Sequence, residues 1–294
     1  VGKKEAIIKD IYFHIVTDSS TRLSGLQPGQ YDFIYGVPYD YYDQIQNDPN
    51  LDSLLTPAAN PLMAFNNVEG ISTNAKIRQA INAALNVEEI LMGAFPNPDF
   101  FWVDSGYMDV NIKPWASKAG SEYYNQNDLE KAKQLLEEAG YNGEEFRLMA
   151  TRDYDHHYNM AVVIHDQLKK MGINAKLDIY DWPTVLEKSE SKFGDWDAYI
   201  TTASTVSTPT QLIALGAGWS GDYPEVDQKL LEIETASTLE EAQALWDDLQ
   251  LLLWEEIQPI AHIGGYSSLY GFSKKLEGIT ATTGPIFWNV TKSE

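Results

Sequence analysis

The feature that most constrains the fold is a regular alternation of strand-like and helix-like segments between residues 145 and 202. Three short segments rich in apolar residues are separated by two segments whose apolar residues recur at helical spacing. In order they read EFRLMATR, NMAVVIHDQLKKM, NAKLDIYD, PTVLEKSES and DWDAYITT. Strands of one sheet that are joined through a helix run parallel, with a right-handed crossover. The pattern therefore predicts an α/β fold with a β-α-β-α-β unit and a largely parallel sheet.

The flanking chain adds predicted helices with clear start signals and one predicted strand near the beginning. Thr238 and Glu241 form a T-x-x-E capping box, and Asn86 with Glu89 has the spacing of a capping pair. The alternation of apolar and polar residues in IIKDIYFHIV, residues 7–16, predicts a strand. Such a strand needs a neighbour from later in the chain, because an unpaired edge leaves backbone groups without partners.

The charge of the chain argues against several classes of partner. The chain has 43 acidic and 21 basic side chains and a formal charge of −22, so phosphate backbones and anionic membrane surfaces are repelled. We therefore expect no nucleic-acid partner. The absence of cysteine excludes disulfides and thiolate metal ligands. No apolar run reaches the ~20 residues of a spanning helix, and the first residues lack the apolar core of an export signal.

Polar loops follow all three predicted strands of the alternating region. They read TRDYDHHYN, YDWPT and TTASTVSTPTQL. Because ligands of α/β proteins bind outside the carboxyl ends of the strands, we expect the three loops to meet at one edge. The first loop is dense in Asp and His, and three interpretations are open. It forms a metal site, a polar loop that lines a ligand site, or a cap of the next helix by Asp153 or Asp155.

A metal or catalytic site is the weakest of these interpretations. The side chains of the adjacent His156 and His157 diverge in regular structure, and His165 lies two helical turns further on. Adjacent Glu255 and Glu256 point about 100° apart on a helix, so they cannot flank one bond. No H-E-x-x-H, G-x-S-x-G, P-loop or G-x-G-x-x-G pattern occurs. We predict no metal, no cofactor and no enzymatic activity, with a metal-dependent hydrolase as the weaker alternative.

Five segments, taken in order, resemble one protein family. They are DIYFHIVTDSSTRLSGLQPGQYDFIYGVP, IRQAINAALNVEEIL, NDLEKAKQLLEEAGYNG, VVIHDQLKKMGINAKLDIYDWPTVLEK and LEEAQALWDDLQLLLWEEIQPIAHI. Each is similar to a segment of the bacterial extracytoplasmic solute-binding proteins of ABC importers, in the dipeptide, oligopeptide and nickel class called family 5. The resemblance implies a periplasmic-binding-protein-like fold of class II with two lobes, of which this chain is the C-terminal portion, truncated at the N-terminus.

The resemblance also implies an organisation and a function. Residues 1–66 are expected to form a remnant of lobe one, to which the chain returns at about 265–294, and residues 67–264 to form lobe two. Hinge crossings are expected near PLMAFNN and IAHIGGY. The parent protein is expected in the periplasm or lipid-anchored to the outer face of the cell membrane. There it binds a small solute, expected to be a di- or oligopeptide, in a cleft between the lobes and delivers it to a membrane permease.

The predicted ligand-binding residues come from the three loops and the two hinges. They are Asn66, His156, His157, Trp182, Thr205 and Tyr266. By resemblance, the first loop faces the cleft, and His156 or His157 is expected to form hydrogen bonds with the ligand. Trp182 follows a strand and either forms a wall of the pocket or packs within lobe two.

Position 205 departs from the pattern of the family. Peptide-binding members typically carry an aspartate a few residues before the proline that corresponds to Pro209, and this aspartate pairs with the α-amino group of the peptide. Thr205 stands approximately there, and no acidic residue occurs between Asp197 and Asp222. A buried ammonium without a carboxylate partner is unfavourable. Two alternatives therefore stay open, a non-peptide solute bound by the hydroxyl-rich run and a sensor or interaction domain on the same fold.

Overall fold

The chain divides into two compact units, each of which is described by itself. The computed structural model describes residues 3–16, 18–190, 195–280 and 286–293. The first unit comprises Val1–Ala58 and Tyr266–Glu294, and the second unit comprises Ala59–Gly265. The chain thus leaves the first unit once and returns to it once.

The helices and strands of the described residues are as follows. The α-helices are α1 (Ser19–Leu26), α2 (Tyr42–Gln46), α3 (Ala75–Ala84), α4 (Val87–Ala94), α5 (Leu129–Glu138), α6 (Asp155–Lys170), α7 (Trp182–Glu190), α8 (Pro224–Thr235) and α9 (Leu239–Leu252), the last continued by a π-helical turn (Leu253–Ile257). The strands are β1 (Phe33–Ile34), β2 (Leu51–Phe65), β3 (Phe101–Trp102), β4 (Glu145–Thr151), β5 (Asn174–Tyr180), β6 (Ala198–Ser204), β7 (Ile260–His262), β8 (Gly265–Ser273), β9 (Leu276–Glu277) and β10 (Thr291–Lys292).

The second unit contains the predicted β-α-β-α-β unit. Elements β4, α6, β5, α7 and β6 follow one another along the chain, and β4 pairs in parallel with both β5 and β6. The later part of β2 pairs antiparallel with β6 and with β7. The prediction of an α/β unit with parallel strands is confirmed. The carboxyl ends of its three strands lie at one edge of the sheet.

The core of the second unit is built around large aromatic side chains. Trp196, Trp246 and Trp254 are each at most 1% exposed, and aliphatic residues from β4, β6 and α9 pack with them. The indole N–H groups of Trp246 and Trp254 donate to the carbonyls of Trp115 and Ser105 at 2.9 Å. Hydrogen-bonded indoles of this kind fix the irregular chain after α4 against α9. None of the helices within the described ranges has both the length and the apolar character needed to cross a bilayer.

Helix starts follow the capping signals of the sequence. Helices α1, α3, α4, α5 and α9 begin after a side chain that accepts a backbone N–H of the first turn, namely Asp18, Asn74, Asn86, Asp128 and Thr238. A side-chain oxygen at this position satisfies one of the donors that a helix start leaves free. The predicted caps at Asn86 and Thr238 are confirmed.

The first unit contradicts one prediction. Its short strands β1 and β8 pair antiparallel, with Phe33 opposite Phe272, but residues 3–16 form no strand. Their side chains are mostly exposed, with Phe13 at 80% and Ile15 at 96%. The predicted strand at IIKDIYFHIV is therefore wrong. Alternation of side chains is not sufficient, because a strand also needs a hydrogen-bonded neighbour, and none of the described residues provides a ladder for this segment.

Candidate functional site

The carboxyl ends of β4, β5 and β6 form the edge at which four of the six predicted site residues lie, namely His156, His157, Trp182 and Thr205. Thr151, the last residue of β4, stands opposite Tyr180, the last residue of β5. Strand β6 is in register with β4 through the pair Leu148 and Ala198, and it extends beyond β4 to Ser204. The chain leaving these three ends therefore starts from one side of the second unit.

The first loop is shorter than predicted, because α6 begins at Asp155. His156 and His157 lie in the first turn of this helix and not in a loop. Neither predicted cap is used, since Tyr154 is the N-cap residue and makes no side-chain capping bond. The carboxylate of Asp153 instead accepts the backbone N–H of Trp182 at 2.7 Å. This bond ties the chain after β4 to the start of α7.

Four rings at this edge form what we call the His–Trp cluster: Tyr154, His156, His157 and Trp182. The centroids of the two imidazoles are 4.6 Å apart with the ring planes at 81°. His157 lies 5.4 Å from Trp182 and 5.1 Å from Tyr154. These edge-to-face and tilted arrangements are favourable for aromatic rings. The structure thus brings three predicted site residues, His156, His157 and Trp182, into one contact group.

Burial keeps both imidazoles of the cluster neutral. His157 is 2% exposed, and desolvation, together with the nearby His156, lowers its pKa to about 3. Desolvation lowers the pKa of His156 to about 4. The Nδ1 atom of His157 is buried and has no hydrogen-bond partner within the described part of the chain. A neutral imidazole both donates and accepts a hydrogen bond, which suits a polar uncharged ligand group.

The cluster lacks the composition of a metal site. In the ranges that the structure covers, no three His, Asp or Glu side chains are grouped so that they can hold a metal ion. His165 lies apart from the cluster on α6, where its Nε2 atom is 3.0 Å from the carbonyl oxygen of Ala175. The three histidines of this segment therefore do not converge as zinc ligands do.

Replacing Trp182 with alanine is expected to raise the pKa of His157 from about 3 toward the ordinary value of 6.5. The reason is that loss of the indole hydrates the imidazole and stabilises its charged form. Titration of the imidazole resonances by NMR measures the change. Leu186→Ala is the matched control, since Leu186 lies on the same helix but is 40% exposed. An unchanged pKa of His157 in the Trp182 variant contradicts the role of the indole as its cover.

Thr205 lies beside a carboxylate that the sequence places far away. Its hydroxyl donates to Asp109 Oδ2 at 3.2 Å, across a separation of 96 residues. The other oxygen of Asp109 accepts the backbone and side-chain N–H groups of Asn111 at 2.7 and 2.8 Å. Sequence reasoning missed Asp109. The Asp-x-Asn turn was visible in the irregular segment after α4, but nothing local predicted where that segment packs.

Asn66 and Tyr266 occupy different surroundings from the cluster. Asn66 is 1% exposed, and its side-chain oxygen accepts the backbone N–H groups of Val68 and Glu69 while its amide donates to the carbonyl of Trp196. These bonds give Asn66 a structural role at the end of β2, so we do not include it in the proposed binding set. Tyr266 belongs to the first unit, where it is partly buried on β8. Its role as a ligand contact stays a prediction.

Comparison with known proteins identifies the family of the chain. The sequence profile of the bacterial extracellular solute-binding proteins, family 5 Middle, matches residues 1–232. The chain belongs to this family. The predicted resemblance is thus confirmed, on the same segments that carry the β-α-β-α-β unit and the His–Trp cluster.

Two relatives of the chain are named for the solutes that they bind or transport. A protein of Sinorhizobium fredii described as a probable peptide ABC transporter periplasmic-binding protein is 28% identical over 296 residues, covering 95% of this chain and 55% of that protein. The nickel-binding periplasmic protein of Escherichia coli is 24% identical, covering 89% of this chain and 54% of its own length. The chain therefore spans about half the length of the curated relatives it matches.

A solved structure shows the same fold. The ABC transporter-associated periplasmic binding protein DppA of Helicobacter pylori, in complex with the peptide STSA, superposes with a TM-score of 0.77 at 21% identity. The superposition covers 95% of this chain and 56% of that one. The predicted α/β, periplasmic-binding-protein-like fold class is confirmed.

Proposed function

We propose that the chain is the substrate-binding component of an ABC importer, or a fragment of it, and that it captures a short peptide outside the cytoplasm for delivery to a membrane permease. The observation that carries the proposal is a family match over residues 1–232, and the His–Trp cluster at the carboxyl edge of the second unit supports it. Relatives named for peptide transport support the peptide as solute. Their periplasmic naming supports the extracytoplasmic location.

We also propose which residues form the two lobes of the family fold. We assign residues 67–264 to lobe two of the family and residues 1–66 with about 265–294 to lobe one. The compact units of the structure, which change at Ala58 and at Gly265, support a division of this kind. In this assignment the His–Trp cluster, Thr205 and Asp109 all belong to lobe two.

The chemistry of the cluster suits a peptide. A peptide presents neutral amide donors and acceptors along its backbone and apolar surface on its side chains. The neutral His156 and His157 offer hydrogen bonds without charge, and the partly buried Trp182 offers an apolar wall. These imidazoles have pKa values of about 4 and 3, far below the range in which histidine serves as a general base near neutral pH. The site therefore supports binding in preference to catalysis.

A second class of solute has its own support. The nickel-binding relative from Escherichia coli belongs to the matched set, and Thr205 stands where an acid is typical of peptide binders. A metal chelate is consequently the main competitor of a peptide, and the experiment must separate the two.

Native mass spectrometry of the protein expressed from its complete gene tests the proposal. We expect retention of short peptides from an equimolar mixture of peptides, oligosaccharides and the nickel(II)–histidine complex. Trp182→Ala is expected to weaken peptide retention by about 10-fold or more, as loss of a buried aromatic contact does at binding sites. Leu186→Ala on the same helix is expected to bind as the unmodified protein does. Retention of only the nickel complex or only the oligosaccharides overturns the assignment of a peptide.

A further inference from the structure

Asp109 is a buried carboxylate without a cationic partner. It is 4% exposed, and within the described ranges it makes no ion pair and accepts only the three hydrogen bonds from Asn111 and Thr205. Its Oδ2 atom receives just one of these, the 3.2 Å contact with the Thr205 hydroxyl. Burial of a carboxylate is unfavourable unless a cation or several hydrogen-bond donors compensate it. Oδ2 therefore has capacity for a further donor.

Three basic side chains of the second unit do not neutralise Asp109. Lys118 forms its ion pair with Asp104, which is 7% exposed. Arg78 uses its guanidinium N–H groups on four backbone carbonyls and the hydroxyl of Tyr223. His262 is 3% exposed, and burial lowers its pKa to about 4 in spite of the two nearby aspartates, so it is neutral at pH 7. None of these three side chains neutralises Asp109.

A small cavity adjoins this carboxylate. Its volume is about 20 Å³, and a volume of about 10–15 Å³ is sufficient for one water molecule, which is close to an ammonium group in size. Its polar lining residues include Asp109, Tyr107, Asn60 and His262. The Tyr107 hydroxyl is buried without a hydrogen-bond partner among the described residues. The exposed Ser204 at the end of β6 lines the cavity on the solvent side.

We propose that Asp109, with Thr205 and the cavity beside them, forms a subsite for one primary ammonium group of the ligand. The proposal rests on the proposed function and deepens it, because a free peptide presents such a group at its amino end. An ammonium in the cavity donates to Asp109 Oδ2 and supplies the missing positive charge. Residues 205–221, which follow β6, contain no acidic side chain that could pair with the ammonium group. In this subsite Asp109, from the irregular segment after α4, provides that carboxylate.

Methylammonium is a direct probe of this subsite in the 294-residue chain. We expect it to raise the midpoint of thermal unfolding in a saturable way, because a ligand that binds the folded state stabilises it. Tetramethylammonium at the same concentration has the same charge but no N–H donor and greater size, so we expect no saturable rise. The backbone and side-chain amide resonances of Asn111, which donate to Asp109, are expected to shift with methylammonium only.

Two variants test whether methylammonium binds at Asp109. Asp109→Asn is expected to raise the apparent Kd for methylammonium by about 10-fold or more, as loss of a hydrogen bond to a charged group does. Asp99→Asn is the matched control, since Asp99 is an exposed carboxylate in the same irregular region, and it is expected to leave the Kd unchanged. The comparison of the two cations in the unmodified chain stands even where the Asp109 variant fails to fold.

The outcomes separate the subsite from the proposed function. Equal responses to the two cations overturn the subsite, as does a methylammonium response that survives in a folded Asp109→Asn variant. Peptide retention in the mass-spectrometric assay without a methylammonium response leaves the peptide function in place and removes the subsite. A methylammonium response that depends on Asp109, without peptide retention, supports the subsite and removes the peptide.

Discussion

Replacing Arg78 with methionine is expected to lower the free energy of unfolding of the second unit by about 3–5 kcal/mol. Arg78 is 1% exposed on α3. Its guanidinium donates to the carbonyl of Ile257 at 3.0 Å, to that of Gln258 at 3.1 Å and to that of Ser72 at 2.7 Å. Methionine fills much of the volume but leaves these buried carbonyls unsatisfied, and each unsatisfied group costs about 1–3 kcal/mol.

Urea unfolding followed by tryptophan fluorescence measures this effect, since Trp288 is the one tryptophan of the eight that lies outside the second unit. The matched control is Lys76→Met on the same helix, which removes a surface ion pair with Glu138. Exposed pairs of this kind contribute about 0–1 kcal/mol. Equal losses in the two variants contradict the claim that Arg78 anchors the end of the π-helical turn.

The features of this protein that the sequence predicts correctly are those set by short-range interactions. The β-α-β-α-β unit was predictable because its strands and helices are defined by periodicity within each segment and joined by right-handed crossovers. The caps at Asn86 and Thr238 were predictable because the capping side chain and the N–H it accepts are three residues apart. The caps join residues that are close in sequence, and the parallel direction of the strands follows from the helical crossovers between them.

Long-range interactions were not predictable in the same way. The contact of Thr205 with Asp109 joins residues 96 positions apart. Asp109 lies in an irregular segment without the hydrophobic periodicity from which its packing could be predicted. Asp153, a good capping residue by composition, does not cap α6, because its carboxylate accepts the backbone N–H of Trp182 on the next helix. The tertiary contact thus overrides the local capping preference, and α6 begins at Asp155 with Tyr154 as its N-cap residue.

Lowering the pH from 7.5 to 5 is expected to reduce the free energy of unfolding of the second unit by about 2 kcal/mol for each of His157 and His262. Their pKa values are lowered by burial to about 3 and about 4, from an ordinary value of 6.5. Between these limits the unfolded chain binds protons that the folded chain does not, so stability falls as the pH falls. At pH 7.5 and above, both states are almost entirely neutral at these positions and the effect vanishes.

Urea unfolding at several values between pH 7.5 and pH 5 measures this slope. His157→Phe removes one of the protons taken up on unfolding, so we expect its slope to be about one proton smaller. The exposed His14 of the first unit provides the control His14→Asn, which is expected to leave the slope unchanged. A gain of stability on acidification means that the imidazoles are charged and paired in the folded state. That result removes the basis for their role as neutral hydrogen-bonding groups, and with it the physical argument that the His–Trp cluster recognises the uncharged backbone of a peptide.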